Sequence, residues 1–117
     1  MRLRSSRRVR GFSDGIYPSL MLQHYVFLKF HPGTSEAHVE EFCQRMLALR
    51  TRIACIEQLQ VGRDVVHDAR SWDLMLSLQF ASLEALRQYQ RHPEHREVMA
   101  FNEPALAAIG TVDCVLP

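Results

Sequence analysis

From Met21 onward the chain alternates: Leu22, His24, Val26, Leu28 and Phe30 share one face of an extended segment, while Gln23, Tyr25, Phe27 and Lys29 share the other. Both faces are partly apolar, so both are expected to be covered. The break HPGTS follows, with Thr34 or Ser35 as an N-cap and Glu36 in the first turn of a helix. Val39, Phe42, Cys43, Met46, Leu49 and Ile53 recur at helical spacing, which predicts an amphipathic helix of about five turns. A second strand is predicted from Cys55 to about Val61, closed by Gly62. The loop DVVHDARS then leads into WDLMLSLQF, the strongest strand pattern, whose Leu74, Leu76, Leu78 and Phe80 must point inward together.

Ser82 caps a further helix with Leu83, Leu86 and Tyr89 on one stripe, and Pro93 interrupts it by disfavouring the helical conformation at His92. Val98, Met99, Phe101, Leu106 and Ile109 continue an apolar helical face past Pro104, Gly110 is expected to end it, and TVDCVL to close the domain as a short strand. The order β-α-β-β-α-β predicts an α+β fold with a split, ferredoxin-like sheet and its helices on one face. The other face keeps Tyr25, Phe27, Trp72 and Met75. An apolar patch of that kind predicts a partner, and two such sheets packed face to face would bury both patches.

At 117 residues the chain has room for one domain. Residues 1–20 hold Arg2, Arg4, Arg7, Arg8 and Arg10 against Asp14 alone, without apolar periodicity or a secretory apolar core, and are expected to form a basic, disordered extension. Their Arg and Ser content also suits a presequence, or an upstream start before Met21. Residues 21–117 are net acidic, which argues against a nucleic-acid partner, and no run approaches the roughly 20 apolar residues of a membrane-spanning helix. Cys43, Cys55 and Cys114 are odd in number and lack a Cys-x-x-Cys pair, so reduced thiols in a cytoplasmic protein are expected. A metal site from His92, His95 and Glu97 is not expected, because His-Pro-Glu-His lacks the i, i+4 spacing that puts two imidazoles on one helix face, and no cofactor is expected.

The segments MLQHYVFLKF, LQVGRD, WDLMLSLQF, LRQYQRHPEH and VDC resemble the stress-responsive dimeric α+β barrel (Dabb) family across residues 21–117. The most specific element is the run from Tyr89 through His92 and Pro93 to His95, joined to His24 early in the first strand. The resemblance implies a ferredoxin-like protomer that forms a homodimer sheet to sheet, with a pocket between sheet and helices. It implies varied functions, among them that of a plant polyketide cyclase, which closes a ring by an intramolecular aldol step with a Tyr and His pair. Tyr89 and His95 match that pair and His24 matches another pocket histidine, so these three are the candidate catalytic residues. Val26, Leu28, Met46, Leu74 and Leu76 are the candidate lining. Leu74 and Met46 stand where the cyclase has a histidine and a tyrosine, which implies a more apolar pocket here.

Elementary chemistry is compatible with that pair, since an imidazole with a pKa near 6.5 accepts a proton at neutral pH and a neighbouring phenol can orient a carbonyl. The structural alternative is a buried Tyr89–His95 hydrogen bond that fastens the bent helix. Asp73 and Asp113 are expected on the partner-facing side of the sheet, and Cys43 in the packing of the first helix. The first expectation is therefore a homodimer that binds an unidentified small molecule. A lyase or cyclase using His95 as base is the alternative, and a structural stress protein without catalysis is the third.

Overall fold

The computed structural model describes residues 21–117, so the basic extension expected at residues 1–20 lies outside the described residues. Strand β1, Leu22–Phe30, follows the alternation: Leu22, His24, Val26, Leu28 and Phe30 are buried, whereas Tyr25, Phe27 and Lys29 are half-buried. Helix α1, Glu36–Arg52, starts where Ser35 accepts from the His38 amide, with Glu36 at its positive end and Arg50 and Arg52 at its negative end. Its buried stripe is Val39, Phe42, Cys43, Met46 and Leu49.

Strand β2 is Gln58–Arg63, later than the sequence pattern suggested. Ile53 and Ile56, each 2% exposed, plug the core from a turn in which the Ile56 amide donates to the Ile53 carbonyl, and pairing begins only when Glu57 donates to Gln79. Gly62 does not close this strand but lies within it, opposite Met75. Strand β3, Leu74–Phe80, buries Leu74, Leu76, Leu78 and Phe80 as expected from alternation. Just before it, Asp73 is tied to the end of β1, its amide donating to the Leu28 carbonyl and its carboxylate accepting from the Phe30 amide.

Helix α2, Leu83–Arg91, is capped by Ser82. It stops at His92, whose extended ψ of 134° precedes Pro93, and helix α3, Pro93–Asn102, restarts at once. A 3₁₀ turn, Glu103–Ala105, carries the chain past Pro104 into strand β4, Leu106–Val115. Leu106 and Ile109 thus belong to the strand rather than to a helical face. Gly110 ends nothing: it pairs with Phe27 in mid-strand, where a Cβ would meet the Trp72 ring at 3.7 Å. Ten residues of β4 satisfy the outer edge of the long β1 from Leu22–Val115 to Phe30–Leu106, with an irregularity between Lys29 and Phe30.

All pairings are antiparallel and the sheet order is β2-β3-β1-β4. This is the ferredoxin-like βαββαβ arrangement, with the second helix split in two. One sheet face joins Phe42, Met46, Leu49, Leu86 and Tyr89 in a single core. The opposite face leaves Trp72 38% and Val112 50% exposed, with the Phe27 and Trp72 rings 6.2 Å apart. No helix among the described residues is long and apolar enough to cross a membrane.

Candidate functional site

The β1 alternation puts His24, Val26 and Leu28 on the helix-facing side of the sheet, and the β4 register sets Asp113 beside His24, Thr111 beside Val26 and Ile109 beside Leu28. Tyr89 comes from the last turns of α2. The His92 break then turns the chain so that His95, in the first turn of α3, folds back onto the Tyr89 ring with centroids 4.3 Å apart. His24 meets the same phenol edge-on at 6.3 Å, and Phe80 closes the base of the aromatic group 5.1 Å from Tyr89.

These residues line a cavity of about 150 Å³ between the sheet and the broken helix. Val26, Leu28, Leu76, Met99 and Ile109 form its apolar wall, and His24, Tyr89, Gln90, His95 and Thr111 supply its polar groups. Five of the expected residues besides Tyr89, namely His24, Val26, Leu28, Leu76 and His95, therefore meet at one place. Met46 and Leu74 do not line it: both are fully buried in the core, and the long β4 provides a wall through Ile109 and Thr111 instead. Larger, more open hollows lie elsewhere, including one of about 480 Å³ at the far end of β1. There the Arg63 guanidinium is already held by the Glu36 carboxylate.

Asp113 sits beside His24 rather than on the partner-facing side of the sheet expected from the sequence. Its carboxylate accepts from His24 Nδ1 at 2.5 Å, so it faces the helices and not the open face of the sheet. Asp73 is likewise occupied, by the Phe30 amide within its own chain. The expected Tyr89–His95 hydrogen bond is replaced by ring contact; His95 Nδ1 instead donates to the Gln90 carbonyl at 3.3 Å. Gln90 and Thr111 had no signal beyond their places beside Tyr89 and opposite β1.

The sequence matches the family described as the stress-responsive A/B barrel domain over residues 22–116. The chain belongs to this family. No curated protein matches it. Among solved structures, this stress-responsive A/B barrel protein is similar to a dimeric ferredoxin-like protein of unknown function from Thermobifida fusca, 23% identical, with a TM-score of 0.75 over 83% of this chain and 92% of that one. A dimeric ferredoxin-like protein from Bacteroides fragilis is 22% identical, with a TM-score of 0.74 over 82% and 96% of the two chains. The hydroxynitrile lyase of Passiflora edulis is 15% identical, with a TM-score of 0.75 over 83% and 94%. At these identities the likeness establishes the fold.

Burial sets the electrostatics of the A/B barrel protein's cavity. It pushes the Tyr89 phenol well above its ordinary range, with a smaller contribution from Cys55, so Tyr89 is a neutral hydroxyl. Burial also lowers His95, partly opposed by the Gln90 carbonyl and reinforced by His24 and His92. A carbonyl can only accept, so the proton of neutral His95 resides on Nδ1 and its lone pair on Nε2. The arrangement offers a neutral base beside a neutral hydroxyl, in apolar surroundings. Among the described residues, no group of three His, Cys, Asp or Glu side chains could hold a metal ion.

Proposed function

We propose that this protein is a homodimer that binds a small, mostly apolar molecule in the cavity between sheet and broken helix, with His24, Tyr89 and His95 as its polar contacts. One observation carries the reading: the first strand and, more than sixty residues later, the two halves of the broken helix deliver three titratable rings to a cavity whose remaining wall is largely aliphatic. Packing alone would be served by apolar side chains, because each buried polar group must be satisfied or costs stability. The open sheet face with Tyr25, Phe27, Trp72 and Met75, and the dimeric Thermobifida and Bacteroides relatives, support pairing through that face. Three free cysteines fit a reducing, cytoplasmic setting.

A second reading, a lyase or cyclase, is favoured by the His95 tautomer: Nε2 is free to accept a proton and the Tyr89 hydroxyl is neutral. The Passiflora hydroxynitrile lyase lends support, because it uses the same fold. Thermal-shift titration with small aromatic alcohols and ketones, followed by a turnover assay on any that bind, separates the readings. Stabilisation that Tyr89→Phe and His95→Ala abolish supports binding at this cavity. Turnover lost in both variants supports the enzyme, and no stabilisation by any compound leaves a structural protein.

A further inference from the structure

The His24 and His95 imidazoles are anchored in the same sense. His24 Nδ1 contacts the Asp113 carboxylate at 2.5 Å, and His95 Nδ1 contacts the Gln90 carbonyl at 3.3 Å. Both partners are acceptors, so in each neutral ring Nδ1 bears the proton and Nε2 the lone pair. Neither Nε2 has a hydrogen-bond partner among the described residues, and both rings line the same cavity. Two imidazole acceptors are thus fixed by groups behind them, one from β4 and one from the end of α2.

No Lys or Arg lines the cavity. A carboxylate ligand would present only acceptor oxygens to the two lone pairs, would bring its charge towards Asp113, and would lose its water without a cation in return. A hydroxyl offers a donor to one Nε2 or the other and can still accept from the neutral Tyr89 phenol. We infer that the cavity selects neutral, hydroxyl-bearing ligands over carboxylates, with Asp113 acting as a positioning residue through His24. This inference rests on the cavity being the binding site, and goes beyond that reading by naming the ligand class and the residue that sets it.

Two measurements on the full chain test it. Long-range proton–nitrogen NMR at pH 8 should find the proton of both imidazoles on Nδ1. Protonation of Nε2 in either ring, as the other tautomer or as an imidazolium, would overturn the inference.

Titration with benzyl alcohol and benzoate, which share a skeleton and differ in the group tested, should then show the alcohol binding about tenfold or more tightly. It should also shift the Nε2 signal of His24 or of His95. Benzoate binding as well or better sinks the ligand class while leaving the cavity as a site. If neither compound moves either imidazole at millimolar concentration, the site itself is lost and the inference with it. In Asp113→Asn the preference should narrow severalfold, with the His24 tautomer no longer fixed. An unchanged preference would remove Asp113 from the role.

Discussion

Tyr89 and His95 pack ring against ring with centroids 4.3 Å apart, although a helix break lies between them. Their contact is not a hydrogen bond, which separates the two side chains energetically. The Tyr89 hydroxyl has no hydrogen-bond partner among the described residues, so Tyr89→Phe should change stability by less than about 1 kcal/mol while weakening ligand binding. His95→Ala loses both the ring contact and the bond to Gln90 and should cost about 1–3 kcal/mol. Urea unfolding of both variants checks the contrast; equal losses would contradict it.

A pH dependence follows from His95. Burial holds its folded value below the ordinary 6.5 of the unfolded chain. As pH falls from 6.5 towards the folded value, the unfolded state binds more protons, so folding stability declines through that window. The melting temperature should therefore drop more steeply between pH 7.5 and 5.5 in the native protein than in His95→Gln. Parallel slopes would show that His95 titrates normally.

The proposed homodimer predicts a light-scattering mass about twice the 13.6 kDa of the chain. Phe27 lies near the middle of the open face, so Phe27→Asp would bury two symmetry-related charges without partners and should dissociate or unfold the dimer. The half-exposed Trp72, 6.2 Å from Phe27, reports the event as a red shift of its fluorescence. A monomeric native protein at micromolar concentration would refute the pairing.

The core makes a simpler demand. Leu78 is fully buried on the helix-facing side of β3. Leu78→Ala should cost about 2–5 kcal/mol, through lost burial and the cavity left behind. Chemical denaturation gives the value, and a loss below 1 kcal/mol would mean that the surrounding side chains collapse into the space.

Legibility varied with how local the determining signal was. Strand β1 and helix α1 were readable because alternation, a serine cap and a 3.6-residue stripe all agree within each segment. Strand β4 was not: Leu106 and Ile109 are three apart, as on a helix, and Gly110 resembles a helix terminator, so only pairing with the full length of β1 reveals ten extended residues. The same non-local register decides which groups meet His24. The family resemblance points to His24, Tyr89 and His95, whereas only the β1–β4 register puts Asp113 on the helix-facing side and Ile109 in a strand. Met46 and Leu74 are apolar and face inward, a property shared by the whole core that does not single out a pocket wall.

His92 takes part in both helix ends: its backbone amide donates to the Tyr89 carbonyl at the close of α2, and its ring accepts from the Glu94 amide at the start of α3. One side chain therefore acts as the splice between the segment that carries the phenol and the segment that carries the imidazole. Substitution at this position should change the pitch of one segment against the other while leaving both side chains intact. That makes residue 92 a dial for the spacing of Tyr89 and His95, adjustable in steps of side-chain size and cap strength.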